Sequence, residues 1–130
     1  MNKKIFSILI IFIFSISCVN AADFNIPDHF TQLSPNHYED NGIYLNIVNY
    51  TNNSNFNWFK SDPALEYSVH SYKNNTYVSH STDEDNVFEL IEFEGKRYIV
   101  QCWSSQDNND TNFKNLMEFN KLNNLTGINP

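Results

Sequence analysis

Glycine is scarce in this chain of 130 residues, and its scarcity excludes two kinds of active site. The three glycines, Gly42, Gly95 and Gly127, lie too far apart to form the glycine-rich loop that cradles a phosphate. The sequence also contains no Gly-x-Ser-x-Gly segment, the strand-to-helix turn that presents the nucleophile of an α/β-hydrolase. Neither phosphate-loop chemistry nor that hydrolase mechanism is therefore expected.

Basic residues are also few. Eight Lys and Arg stand against fifteen Asp and Glu, which gives a formal net charge of −7. An acidic surface repels a phosphate backbone, so the composition predicts no nucleic-acid partner.

The two cysteines, Cys18 and Cys102, cannot both belong to the folded domain if the N-terminal segment is removed. The domain then has no internal disulfide and depends on its aromatic and aliphatic core. No neighbouring residue in the sequence suggests a lowered thiol pKa at Cys102, so it is predicted to be a buried apolar side chain rather than a nucleophile.

Residues 1–22 have the pattern of a secretory signal peptide. Lys3 and Lys4 precede an apolar run over residues 5–19, and Val19-Asn20-Ala21 has the small-x-small spacing of a cleavage site. The run is shorter than the roughly 20 residues that span a bilayer. We expect cleavage, a single exported domain at 23–130 and no membrane span afterwards. A retained anchor and a lipoprotein modified at Cys18 are the alternatives.

Alternating apolar residues predict the sheet. Ile43 to Tyr50 has period-two alternation and is predicted to be a strand. Val87–Phe93 and Lys96–Trp103 flank Glu94-Gly95 and predict a hairpin with Glu92 opposite Arg97 and Ile91 opposite Tyr98. Both faces of this hairpin are largely apolar, so we expect it at the centre of the sheet.

Three further segments have weaker patterns. Leu65–Lys73 and Thr76–Ser81 flank Asn74-Asn75 and predict a second hairpin, with Tyr72 opposite Tyr77 and Val69 opposite His80. Phe24–Pro27 is expected to be a short edge strand that ends at the proline. Residues 28–42 are expected to be irregular, with turns at Ser34-Pro35-Asn36 and Asn41-Gly42.

The last element is predicted to be a helix with Asp110 or Thr111 as its N-cap and a stop near Leu125 and Gly127. Its apolar face is expected to carry Phe113, Leu116, Met117 and Asn120, widened by Phe119 and Leu122. The predicted class is α+β: an antiparallel sheet of two or more hairpins with a C-terminal helix packed on one face, over Val100 and Cys102.

Four segments resemble small exported proteins of methanogenic archaea: Phe24–Phe30, Asn75–Tyr77, Phe93–Val100 and Glu118–Asn123. The resemblance implies the same sheet-and-helix fold, and it supplies no functional residues to carry over. The order of an Ile-Pro-x-x-Phe segment, a sheet and a terminal helix is more distantly similar to Mog1/PsbP-like domains, which implies a binding or assembly module.

No set of residues predicts a catalytic, cofactor or metal site. His70 and His80 fall on opposite faces of their predicted hairpin, and His29 and His37 have no partner at zinc-finger spacing. The acidic runs 83–86 and 107–110 lack the glycine and distal glutamate of a calcium loop. Glu89, Glu92 and Glu94 are divided between the faces of a ribbon, so they do not predict a glycosidase pair.

Five asparagines satisfy the Asn-x-Ser/Thr pattern and are candidate glycosylation acceptors: Asn49, Asn52, Asn74, Asn109 and Asn124. The sequence as a whole favours an exported, non-catalytic binding domain at or near the cell surface, whose partner is a surface protein or a glycan. A small extracellular hydrolase is the alternative. A pocket with convergent polar groups distinguishes the two.

Overall fold

The computed structural model describes residues 23–50, 70–71, 75–80, 83–105 and 107–129. The predicted leader, Asn52, Asn74 and, in the predicted Leu65–Ser81 hairpin, residues 65–69, 72–73 and 81 lie outside these residues. The described elements are β1 (Thr31–Ser34), β2 (His37–Asp40), β3 (Ile43–Asn49), β4 (His70–Ser71), β5 (Tyr77–His80), β6 (Glu84–Phe93), β7 (Lys96–Ser105) and α1 (Asn109–Asn123). They form an antiparallel sheet in the order β1-β2-β3-β7-β6-β5-β4 with α1 packed on it, which confirms the α+β prediction.

The hairpin of β6 and β7 has the predicted register. Glu92 lies opposite Arg97, and Ile91 lies opposite Tyr98. Glu94 and Gly95 both have positive φ, 52° and 80°, which is the type I′ turn that matches the twist of a two-residue hairpin. β7 is the middle strand of seven, so this hairpin forms the centre of the sheet as expected.

Residues alternate between a helix face and an opposite face of the sheet. On the helix face, the buried side chains include Val87, Ile91, Val100 and Cys102, which form one cluster with residues of α1. On the opposite face, Phe88, Leu90 and Ile99 are fully buried in a second cluster. Both faces of the central hairpin are therefore covered along its middle, whereas Glu92 and Arg97 next to the turn are exposed.

The helix begins earlier than predicted, at Asn109, and its N-cap residue is Asn108 rather than Asp110 or Thr111. Asn108 makes no side-chain cap bond. Instead, its backbone N–H donates to Oδ2 of Asp85 at 2.8 Å, so a carboxylate on β6 serves this end of the helix. Because this hydrogen-bond acceptor lies on a distant strand, no residue near the start of the helix indicates it in the sequence.

The helix also ends before the predicted stop. Asn124 adopts the left-handed conformation at φ 55° and ψ 51°, and the Leu125 N–H bonds the Asn120 carbonyl at 2.8 Å. Asparagine thus takes the place that glycine usually has after a helix. Leu122, predicted to widen the apolar face, is 46% exposed instead. Within the described residues, no helix has the length and apolar character needed to cross a membrane.

Residues 28–42, expected to be irregular, contain two strands. β1 and β2 extend the meander from β3, and their turns are at the predicted positions. Asn36, Asn41 and Gly42 have positive φ there. The prediction missed the strands because β1 is exposed along its whole length and has no apolar alternation. Such polar outer strands protect a sheet edge from pairing with other chains.

Phe24–Pro27 is not an edge strand. The Asn25 N–H donates to Oδ1 of Asn123 at 2.7 Å, and Nδ2 of Asn123 donates to the Asn25 carbonyl at 2.8 Å. A side-chain amide on α1 therefore provides the two bonds that a neighbouring strand would provide. The ring of Phe24 packs between the sheet and the helix, 4.5 Å from Phe93 and 5.3 Å from Phe119.

The register predicted for the Leu65–Ser81 hairpin is wrong by one residue. His70 lies opposite Val78, and Tyr77 lies opposite Ser71 rather than Tyr72. A shift of one residue reverses which positions share a face. The predicted placement of His70 and His80 on opposite faces is therefore wrong, because residues 70, 78 and 80 occupy equivalent positions in the observed register.

Candidate functional site

An aromatic pair lies on the opposite face of the sheet, away from α1. Tyr44 on β3 and Trp103 on β7 are directly opposite each other in the ladder. Their rings stack with centroids 4.4 Å apart and an interplanar angle of 17°. The His37 ring meets Tyr44 edge-on at 5.9 Å. Both members of the stacked pair are half-buried.

A row of side-chain amides crosses three strands beside this pair. Nδ2 of Asn46 donates to Oε1 of Gln101 at 3.3 Å, and Nε2 of Gln101 donates to Oδ1 of Asn86. Nδ2 of Asn86 in turn donates to Oε1 of Glu84 at 3.3 Å. The row orients each amide, because every bond fixes which end carries oxygen and which carries nitrogen. We name Tyr44, Trp103, Asn46, Gln101 and Asn86 the aromatic–amide face.

The opposite face of the sheet is not uniform in burial. In the middle of the β6–β7 hairpin, Phe88, Leu90 and Ile99 are completely buried. At the end away from the turn, Asn46 and Gln101 are half-buried like the aromatic pair, whereas Asn86 and the neighbouring Ser79 are fully buried. Four of the five residues of the aromatic–amide face are therefore partly exposed, whereas Asn86 is buried.

A second unusual group, Glu89, is buried on the helix face. Its side chain is 0% exposed, and Oε1 accepts a bond from Nδ2 of Asn120 at 2.9 Å. Desolvation raises the pKa of Glu89 to about 8, although the bond from Asn120 acts to lower it. Among the described residues, Oε2 of Glu89 and Oδ1 of Asn120 have no partner, and these two atoms belong to the same pair.

Cys102 is fully buried beside this carboxyl group, as predicted. Burial raises the pKa of the Cys102 thiol, and the charge of Glu89 raises it further. A thiol that is harder to ionise is a poorer nucleophile.

His29 joins three parts of the chain near the helix. Its Nδ1 lies 2.8 Å from Oδ2 of Asp40, and its Nε2 lies 2.8 Å from Oε1 of Glu118. The hydrogen bond to Glu118 makes the largest contribution to the pKa of His29 and raises it above 6.5. Burial has a smaller, lowering effect on this pKa, and the hydrogen bond to Asp40 raises it further. Two carboxylate partners suit an imidazolium, in which both ring nitrogens donate.

Two open grooves lie on the described surface. One, of about 500 Å³, passes His29 and Glu118 and is bounded by the Asn25–Asp28 segment. The other, of about 550 Å³, lies at the β6–β7 turn and is lined by Asn49, Tyr50, Glu92 and residues 95–97. Neither groove is lined by Glu89 or Cys102.

The candidate glycosylation acceptors differ in their surroundings. Asn124 is exposed at the end of α1, and Asn49 is exposed at the end of β3. Asn109 is half-buried, and its Nδ2 donates to the Ser79 carbonyl at 3.1 Å, so the nitrogen that would carry a glycan is already engaged. Asn52 and Asn74 lie outside the described residues.

The acidic runs 83–86 and 107–110 take part in the packing of the fold. Asp85 accepts the Asn108 N–H at the start of α1, and Nδ2 of Asn112 bonds the Asp85 carbonyl at 3.3 Å. In the part of the chain that the structure describes, no three His, Cys, Asp or Glu side chains are grouped as metal ligands would be.

Sequence reasoning identified the aromatic residues but not the aromatic–amide face. Tyr44 and Trp103 are 59 positions apart, and only the pairing of β3 with β7 brings them together. The alternation within each strand was the available signal, since it places Tyr44 with Asn46 and Gln101 with Trp103 on one face.

Comparison of the chain with family models, curated proteins and solved structures finds no match.

Proposed function

We propose that this chain is an exported, non-catalytic binding domain that acts at or near the cell surface. The observation that carries the proposal is the half-exposed Tyr44–Trp103 stack beside the oriented amides Asn46 and Gln101. Binding sites combine aromatic surface with a few placed polar groups in this way. The secretory pattern of residues 1–22 supports export, and the exported form is expected to begin at Ala22 or Asp23.

Two described groups with raised pKa values, Glu89 and His29, give the hydrolase alternative little support. Glu89 has the raised pKa of a general acid, but its side chain has no exposed area through which to reach a substrate. His29 is accessible, but each of its ring nitrogens faces a carboxylate, so neither is left to accept a proton. The binding function therefore has the stronger support.

Co-sedimentation with cell envelopes of the organism that encodes the chain tests this proposal. The mature protein should sediment with the envelopes, and Trp103→Ala should raise the apparent Kd by about tenfold, the change expected when one aromatic contact is lost. Leu122→Ala is the matched control, because Leu122 is an exposed apolar residue on α1, away from this face. Its binding should equal that of the wild type.

Three results would contradict the proposal. These are no sedimentation of the folded wild-type protein, equal sedimentation of Trp103→Ala, and time-dependent release of soluble fragments from the envelopes. The last result would support the hydrolase alternative. N-terminal sequencing of the exported protein separately tests export, and an intact Met1 would contradict cleavage.

A further inference from the structure

We infer that Asn124, at the end of α1, carries an N-linked glycan in the exported protein. The inference rests on the proposed export, because the Asn-x-Ser/Thr pattern is modified in chains that leave the cytoplasm. Five asparagines share that pattern, so the sequence alone does not choose among them. The structure describes three of the five, and their surroundings differ in ways that decide which side chain can be modified.

The side-chain amide of Asn124 is available. Asn124 is exposed and directly follows the last residue of α1. Its backbone closes the helix, since the Asn124 N–H bonds the Lys121 carbonyl at 3.3 Å and the Leu125 N–H bonds the Asn120 carbonyl at 2.8 Å. Within the part of the chain that the structure describes, the Asn124 side chain makes no hydrogen bond. Nδ2 can therefore exchange a hydrogen for a sugar without loss of a contact in the fold.

The rest of the acceptor tripeptide is also accessible. Leu125 and Thr126 belong to neither a helix nor a strand, and Thr126 is exposed. A transferase has to bind all three residues in its own site, so an acceptor in an irregular surface segment is favoured over one in a ladder or a helix. Leu125 is not proline, and Thr126 supplies the hydroxyl group that the pattern requires.

The other two described candidates are less free. Asn109 is half-buried in the first turn of α1, and its Nδ2 donates to the Ser79 carbonyl at 3.1 Å, so a glycan there would break a bond between α1 and β5. Asn49 is exposed, but it is the last residue of β3 and pairs with β7. The next residue, Tyr50, donates its N–H to the Arg97 carbonyl at 3.0 Å. Backbone pairing thus holds that tripeptide against the sheet.

The modification is a group transfer from a lipid-linked oligosaccharide, supplied by a membrane transferase of the exporting cell. Nδ2 of Asn124 attacks C1 of the first sugar. The new N–C1 bond forms while the bond between C1 and the phosphate oxygen of the lipid breaks. The amide loses one proton to a base of the transferase, and the lipid phosphate leaves with the electron pair of the broken bond.

Glycopeptide mass spectrometry of the protein exported by the organism that encodes the chain tests the inference. The peptide that contains Asn124 should carry a glycan, and the peptide that contains Asn109 should carry none. Thr126→Ala removes the required hydroxyl and leaves Asn124 in place, so this peptide should lose its glycan. Thr126→Ser is the matched control, because serine keeps the pattern, and it should retain the glycan. Both variants change one exposed side chain and should unfold at the wild-type urea midpoint.

The results that would overturn the inference are distinct from those that would overturn export. Unmodified Asn124 in a protein that begins at Ala22 or Asp23 would contradict the inference and leave export standing. A glycan on Asn124 that persists in Thr126→Ala, or a glycan on Asn109, would show that the structural argument for choosing the acceptor is wrong. A chain that stays in the cell with Met1 intact would contradict export, and the inference would fail with it.

Discussion

The buried carboxyl group of Glu89 makes the stability of this domain depend on pH, and the perturbation that tests this is Glu89→Gln. With a pKa of about 8, Glu89 is protonated in the folded state at neutral pH. Its proton then resides on Oε2, because Oε1 accepts the bond from Asn120. An Oε2–H group can donate to Oδ1 of Asn120, so one proton satisfies both of the atoms that otherwise have no partner.

The size of the effect follows from proton linkage. An unfolded glutamate ionises near pH 4.5, whereas the folded one keeps its proton to about pH 8. Between these values the folded state binds the extra proton, so the free energy of unfolding decreases by about 1.4 kcal/mol for each pH unit. The stabilisation is complete below pH 4.5 and is lost as pH rises to about 8. The total is about 5 kcal/mol, comparable with the whole stability of a small domain.

Urea unfolding of the wild type and of Glu89→Gln from pH 5 to pH 9 measures this contribution. Glutamine has the same shape as the acid and can form both bonds to Asn120, so the variant should stay folded and lack the decrease due to Glu89. Glu89→Leu fills the site but leaves the Asn120 amide buried without its partner, and should be less stable than Glu89→Gln at every pH. Parallel pH profiles for the wild type and Glu89→Gln would refute the assignment of the proton to Glu89.

Three further predictions concern the helix, the turn and the histidine. Leu116→Ala should lower the free energy of unfolding by about 2–5 kcal/mol because Leu116 is fully buried. Leu122→Ala on the same helix should change it by less than about 0.5 kcal/mol. Equal urea midpoints for the two variants would mean that α1 is not docked. Gly95→Val should lower the free energy of unfolding by about 1–2 kcal/mol. Since φ at Gly95 is 80° and no atom lies within 4 Å of an added Cβ, this loss comes from backbone strain alone. Gly95→Asn, which tolerates positive φ, should melt closer to the wild type. The His29 ring should titrate by NMR above pH 6.5 and its pKa should fall in Glu118→Gln; its contribution to stability is complete below pH 6.5 and is lost as pH rises through the raised value. An unchanged titration in Glu118→Gln would show that the bond is absent in solution.

The elements predicted most accurately from the sequence are those specified by local chemistry. Glu94-Gly95 specifies a two-residue turn, and that turn fixes the register of the whole β6–β7 hairpin. The alternation in Ile43, Leu45 and Ile47 predicts β3, and all three are buried on one face. In each case neighbouring residues contain the information, so no knowledge of distant contacts is needed.

The elements that were missed depend on partners far along the chain. β1 and β2 have little apolar alternation and form because β3 offers a free edge. Asp85 accepts the Asn108 N–H at the start of α1, and these residues are 23 positions apart. Asn25 pairs with Asn123, which is 98 positions away. The Leu65–Ser81 hairpin shows another reason why a prediction fails. Asparagine permits a turn without fixing its length, and a register shift of one residue reverses which side chains share a face.

The candidate sites were partly visible in the same patterns. Glu89 lies between Val87 and Ile91 on the apolar side of β6, and Asn120 lies on the apolar side of α1, so each sequence pattern contains one polar residue where an apolar one is expected. Their partnership follows once α1 is placed on that face. Polar residues at core positions of two packed elements therefore deserve to be considered as a pair.

Strand alternation keeps the pH-dependent pair and the proposed binding surface on different sides of the same two strands. On β7, Val100 and Cys102 face α1 and Glu89, whereas Gln101 and Trp103 belong to the aromatic–amide face. We therefore expect ionisation of Glu89 to affect the Trp103 surface through unfolding of the domain, since the two lie on opposite faces of the sheet. Loss of binding at alkaline pH should then follow the unfolding curve of the wild type, and Glu89→Gln should retain binding to the same pH at which it remains folded.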